Sequence, residues 1–266
     1  MSFQELKNHS SLAELLGFDD RPDDELERIY NKRDRTIPRE GIECDKCGNH
    51  EFVWVVKDGE RMTHECECKT ARDNLHRLRV SGLSEQVAKC TFETYKTQHD
   101  WQKAAKDIVL RFVSDKKHKW LLLSGQPGSG KTHLCTAAAG EFIRAGADTR
   151  YICWVDEGTA LKAHVTNDQE YSRRIEPLKT CQVLYIDDFW KTQHGQQPTS
   201  ADVRLAFDLL NYRYRNSGLV TMISTERTVK EMLAIDQGVG SRIYEMTKGY
   251  RLEFVGIEKN WRLSNG

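Results

Sequence analysis

The sequence lacks any apolar run approaching the roughly 20 residues that a membrane-crossing helix needs, so no helical membrane span and no association with a membrane are expected. Its first residues, "MSFQELKNHSS", lack the basic start and apolar stretch of a secretory signal, so the expected location is the cytoplasm. Net charge is lacking too: 40 basic residues stand against 40 acidic ones, and bulk charge gives no attraction to nucleic acid. The distribution is uneven, with 11 acidic and 7 basic groups over 1–43, 8 and 8 over 44–90, and 21 and 25 over 91–266. The last part is mildly positive, which permits nucleic-acid contact without arguing for it.

What is present is enough chain for one sizeable core and a smaller module. The expected division is a helical segment 1–43, a metal-binding module 44–80, a linker 81–98 and an α/β domain 99–266. In the first segment, Ser11, three residues before Glu14, makes a capping box for "LAELLGF", and "DDELERIYNKRD" places Leu26, Ile29 and Tyr30 at helical spacing. Two short amphipathic helices are expected there, covering a neighbouring domain or docking on a partner protein.

Eight cysteines in a reducing compartment suggest metal before disulfide. Cys44 and Cys47 form a CxxC, "FVWVV", "KDGE" and the following residues read as a hairpin, and Cys66 with Cys68 closes the unit. This is a zinc-ribbon pattern, with four thiolates replacing the core that about 30 residues cannot supply. His64 is an alternative ligand. Four sulfur ligands leave no open position, so structural Zn²⁺ is expected rather than catalytic. "KTARDNLHRLR" reads as a helix with a solvated basic face, and Cys90, Cys135, Cys153 and Cys181 as core residues.

Beyond residue 100 apolar runs alternate with helical patterns: "WLLLS" (120–124), "RYICWV" (150–155), "QVLYID" (182–187), "LVTMIS" (219–224) and "RLEFV" (251–255). Repeated strand and helix means a parallel sheet covered on both faces. "GQPGSGKT" follows the first strand and precedes a helix, matching G-x-x-x-x-G-K-[ST]. Gly125, Gln126, Pro127, Gly128, Ser129 and Gly130 are expected to wrap a phosphate chain, with His133 beside them, Lys131 on the outer phosphates and Thr132 on Mg²⁺. "VLYIDDF" ends an apolar strand in Asp187, expected to hold the Mg²⁺ shell, and Asp188, expected to polarise the attacking water. At the next strand end, Ser224, Thr225 and Glu226 are the candidates for sensing the terminal phosphate, and Thr228 with Glu231 forms a capping box. In "GVGSRIYEM" a glycine turn is expected to project Arg242 from a helix start, as a finger reaching the ATP of a neighbouring subunit.

With these residues together, 85–260 resembles the AAA+ ATPases, and among them the DnaC/DnaI-type replicative helicase loaders. The resemblance is carried by the Walker A loop "GQPGSGKT", the Walker B strand "LYIDDF", the sensor-1 region "ISTER", the "GSRIYEM" segment and the "CTFETY" lead-in. "CDKC...CEC" looks like the zinc-binding N-terminal part of the DnaI branch. The resemblance implies a five-stranded parallel sheet between helices without a C-terminal lid. It implies docking on a hexameric replicative helicase of the DnaB family, self-association into a spiral or ring, and a grip on single-stranded DNA while the helicase is loaded. Lys162, His164 and Lys191, near the carboxyl edge of the sheet, are candidate DNA contacts. Two departures stand out: Glu226 replaces the family's asparagine, and "FWK" replaces a small residue and glycine after the paired acids. The rival readings are an IstB-like transposition ATPase and a nucleotide-switched adaptor that hardly hydrolyses ATP.

Overall fold

The computed structural model describes residues 21–33, 43–57, 60–80, 87, 89–163, 168–192 and 196–264. The expected helix following Ser11, and His164, lie outside them. The chain forms two compact units, 1–73 and 74–266.

In the first unit, helix α1 (Asp23–Arg33) carries Asp23, Asp24 and Glu25 in its first turn, where the helix dipole favours acids. Strands β1 (Phe52–Lys57) and β2 (Glu60–Glu65) pair antiparallel with Lys57 opposite Glu60. The free edge of β1 is covered by α1. The Asn31 amide donates to Trp54 O at 3.0 Å and accepts from Trp54 N at 2.9 Å, and Glu27 accepts from Val56 N at 2.9 Å. An uncovered strand edge invites foreign pairing, and these side chains occupy it. The sequence division at 43/44 therefore separates α1 from the hairpin it packs on. Helix α2 (Glu67–Val80) begins in this unit.

The second unit runs α3 (Asp100–Ser114), β3 (Trp120–Gly125), α4 (Lys131–Arg144), β4 (Thr149–Cys153), α5 (Trp154–Ala163), α6 (Asp168–Thr180) and β5 (Val183–Asp187). It continues with α7 (Ser200–Arg215), β6 (Val220–Ser224), α8 (Val229–Ile235), α9 (Gln237–Met246), β7 (Arg251–Phe254), a 3₁₀ turn and α10 (Trp261–Ser264). All five strands are parallel in the order β4-β5-β6-β3-β7. Alternation explains the continuous apolar runs. Trp120, Leu122, Leu184, Ile186 and Ile223 enter one core with α5 to α9, while Leu121, Leu123, Val183, Tyr185 and Met222 enter the other with α3 and α4. The second strand is shorter than expected, because Trp154 and Val155 open α5. Trp154 turns onto Phe189, ring centroids 4.8 Å apart.

Fully buried Arg213 ties this layer together with no carboxylate partner among the described residues. Its guanidinium donates to Thr221 Oγ1 (2.9 Å) and to the carbonyls of Leu178 (2.9 Å), Lys179 (3.0 Å), Cys181 (3.0 Å) and Val220 (2.6 Å). Thr228 and Glu231 cap α8 reciprocally, as the sequence indicates. Because β6 lies between β3 and β5, the loops leaving these three strands share one carboxyl edge, where α/β sheets bind ligands.

Candidate functional site

The loop after β3 is shaped by its neighbours. Gly125 has φ 97°, and a side chain on it would collide with the Phe254 carbonyl of β7, which accepts the Gln126 N–H at 2.7 Å. Helix α4 starts after Gly130, so its unpaired N–H groups face the loop. Pro127 is exposed at the tip, Gly128 O accepts the Trp261 N–H at 3.0 Å, and the Ser129 hydroxyl donates to Gln126 O at 2.8 Å. Lys131 is buried, and its ammonium donates to Gly125 O at 2.8 Å and Gln126 O at 2.7 Å. Burial pulls its pKa down to about 8 against the opposing pull of Glu226, Asp188 and Asp187. These donors wait on carbonyls that an anion can replace.

Thr132 Oγ1 donates to Asp187 Oδ1 at 3.2 Å, and the Ser224 hydroxyl donates to the same oxygen. The structure thus brings Thr132 and Asp187 together as expected for a shared cation, and adds Ser224 as the group orienting Asp187. Asp188 and Trp190 are non-glycine residues in left-handed backbone, φ 51° and 55°. Between them Phe189 is fully buried and stacks on buried Trp190 at 4.7 Å, which holds the turn in place. Lys191 Nζ then lies 3.0 Å from Asp188 Oδ2 and 3.1 Å from Glu226 Oε1.

Thr225 does not face this cluster as a phosphate sensor would. It is fully buried, its hydroxyl donating to Phe189 O at 2.6 Å and accepting the Arg227 N–H at 3.0 Å. Glu226 is engaged by Lys191 instead of standing as a bare anion. Two of the candidate DNA contacts carry ion pairs: Lys162 with Asp202 at 2.6 Å inside the α7 capping box, and Lys191 with Asp188 and Glu226.

Next to the Walker A loop, the "CTFETY" lead-in supplies residues whose role the motif alone did not reveal. Thr94, Tyr95, Lys96, Gln102, His133 and Trp261 line a cavity of about 200 Å³. His133 Nε2 is 2.8 Å from Thr91 O, its ring meets Tyr95 edge-on at 5.3 Å, and the Lys96 ammonium lies 5.4 Å from the Trp261 ring centre. Aromatic walls beside a phosphate loop suit a flat heteroaromatic group. A larger groove of about 650 Å³, lined by Val203, Phe207, Ala234 and Ile235, belongs to α7 and α8 and not to this site.

The glycine turn expected before Arg242 is absent. Gly238 and Gly240 lie inside α9, which is capped by Asp236 accepting from Val239 N at 2.7 Å. Gly240 serves close packing: an added Cβ would come within 2.9 Å of the Leu233 backbone in α8. Arg242 therefore leaves mid-helix, half-buried, with Nη1 donating to Gly238 O at 2.7 Å. Its guanidinium lies over Phe207 and Tyr214 of α7, 5.1 and 5.4 Å from their ring centres.

In the first unit the sulfurs of Cys44, Cys47, Cys66 and Cys68 all lie within 4.8 Å of one another, with 3.7 Å between Cys44 and Cys66 and 3.3 Å between Cys47 and Cys68. Tetrahedral Zn–S bonds of about 2.3 Å put sulfurs about 3.8 Å apart, so the donor set fits zinc. Burial opposes ionisation, yet hydrogen bonds from Cys68 and the Glu51 backbone bring the Cys47 thiol down to about 7, a competent ligand near neutrality. Arg72 adds a cation that the sequence pattern did not announce, its Nη1 3.5 Å from Cys68 Sγ. His64 is an exposed β2 residue outside the cluster. Cys135 and Cys181 are core residues as expected, whereas Cys90 and Cys153 are only half-buried.

The family described as IstB-like ATP binding protein matches residues 47–237. The chain is 31% identical over 235 residues to the phage-like element PBSX protein XkdC of Bacillus subtilis (strain 168), covering 83% of this chain and 86% of that one. It is 23% identical over 204 residues to the replicative helicase loader DnaC of Escherichia coli (strain K12), covering 75% and 80%. Among solved structures, DnaI superposes with TM-score 0.53 at 22% identity, covering 64% of this chain and 94% of that one. AMPPCP-bound DnaA from Aquifex aeolicus gives 0.51 at 20% identity, covering 65% of this chain but 52% of that one, so the match spans about half of DnaA. The fold agrees with these likenesses, and the chain belongs to the IstB/DnaC-like family of AAA+ ATP-binding proteins.

Proposed function

We propose that this protein is an ATPase that loads a hexameric replicative helicase of the DnaB family onto single-stranded DNA. The observation that carries the reading is the joint occurrence of a complete loop and acid pair with similarity along 75% of the chain to a replicative helicase loader. The adenine ring of ATP would enter the cavity walled by Tyr95, His133 and Trp261. Lys131 would exchange the Gly125 and Gln126 carbonyls for the outer phosphates. Thr132 and Asp187 would hold Mg²⁺, which supplies charge neutralisation at the phosphates. Asp188 would orient the attacking water, and Arg242, swung off Phe207, would meet the terminal phosphate bound by the next subunit of a spiral or ring.

The first unit would dock on the helicase. Zn²⁺ held by Cys44, Cys47, Cys66 and Cys68 would supply its fold with the stability that a two-stranded hairpin lacks. Mixing the protein with its DnaB-family hexamer, ATP and Mg²⁺ and measuring complex mass tests docking. A defined complex that is lost on Cys47→Ser supports the reading, and the absence of any complex contradicts it. The hold of Lys191 on Asp188 favours one second reading, an adaptor switched by nucleotide with little hydrolysis.

A further inference from the structure

Three carboxylates and two ammonium groups gather at the carboxyl ends of β5 and β6: Asp187, Asp188 and Glu226 with Lys131 and Lys191. Position 226 is where the resemblance implies a neutral side chain reading the terminal phosphate. A free carboxylate there would repel it. Thr225 is buried and committed to Phe189 O, so it cannot take over the task. What stands between Glu226 and Asp188 is a cation, the Lys191 ammonium.

The placement of that cation is built into the fold. The Lys191 N–H donates to Asp188 O at 3.0 Å, closing a turn whose residues Asp188 and Trp190 occupy left-handed backbone while Phe189 and Trp190 are fully buried. Non-glycine residues persist in that region only where the surroundings impose it, and here the imposed turn aims Lys191 at the paired acids. Both of its ion pairs remain open to solvent, with Lys191 39%, Asp188 33% and Glu226 37% exposed. Such pairs are weak and exchangeable. A terminal phosphate offers greater charge and several acceptor oxygens to the same ammonium.

Resting on the nucleotide reading of this site, we infer that Lys191 senses the terminal phosphate of ATP. Without that phosphate its ammonium is shared by Asp188 and Glu226. When the phosphate arrives the ammonium moves to it, which frees Asp188 to orient water. Glu226 competes with the phosphate for Lys191 and so sets how strongly ATP is preferred over ADP.

Calorimetric titrations of the full chain with ATP and with ADP, both with Mg²⁺, test this in wild type, Lys191→Ala, Lys191→Arg and Glu226→Gln, with Lys131→Ala marking the site. Lys191→Ala weakens ATP about tenfold and ADP less than about twofold, as expected for loss of one charge-assisted contact to the terminal phosphate alone. Lys191→Arg keeps most of the preference for ATP, and Glu226→Gln raises it. An equal loss for both nucleotides in Lys191→Ala, no loss at all, or a lowered preference in Glu226→Gln would overturn the inference while leaving the nucleotide site intact. A wild type that binds neither nucleotide would overturn the site reading and the inference with it.

Discussion

Raising the pH from 7 to 9 takes the charge off Lys131 before nucleotide arrives. Its pKa is held down to about 8 by burial, and ATP demands the protonated form because the ammonium must face phosphate oxygens. The phosphates are already ionised across this range. The protonated fraction of the free protein falls from about nine-tenths at pH 7 to about one-tenth at pH 9, so ATP affinity falls about tenfold if the bound ammonium stays charged. The sign follows from the depressed value: affinity is full below pH 8 and lost as the pH rises through it. Titrations in two buffers of different ionisation heat show uptake of about half a proton per ATP at pH 8. Lys131→Arg removes the dependence, because an arginine does not titrate in this range. An affinity that is flat from pH 7 to 9 with no proton uptake, or an arginine variant that keeps the slope, would refute the placement of Lys131.

The cysteine cluster predicts one zinc per chain. Cys47→Ser or strong chelation releases it and unfolds the β1–β2 unit, read as lost protection of the β1 amides in hydrogen exchange, and a metal-free wild type with those amides protected contradicts this. Arg213→Ala strands the carbonyls of Leu178, Cys181 and Val220 in the core and costs about 3 kcal/mol, lowering the melting temperature by roughly 6–12 °C. A shift under about 2 °C would show that Arg213 is not the strap described.

The Walker A loop was legible because its chemistry is local: fixed glycines, a lysine and a threonine between a strand and a helix. The paired acids were legible for the same reason, at the end of an apolar strand. The order β4-β5-β6-β3-β7 was not, since pairing between distant segments leaves no local mark. "RYICWV" read as one strand because an apolar run without period suits a strand or a buried helix start equally. In "GVGSRIYEM" the glycines read as a turn, yet Gly240 is there so that α9 can approach Leu233 of α8. Lys191 is a candidate DNA contact in the sequence, and its ion pair with Asp188 follows from the spacing in "DDFWK", three residues past Asp188, formed once Phe189 and Trp190 are buried. Asn31 pairing with Trp54 lay beyond any motif, since it joins residues across a segment that no periodicity connects.

The loader account is tested most directly by transfer. Wild type and Arg242→Ala are each combined with the partner helicase, ATP and Mg²⁺, and helicase bound to a closed single-stranded circle is counted. The account predicts transfer by wild type and its loss in Arg242→Ala, with ATP binding to the single subunit retained. A complex that forms without transfer in wild type, or transfer that Arg242→Ala leaves unchanged, would contradict a loader working through an arginine supplied between subunits.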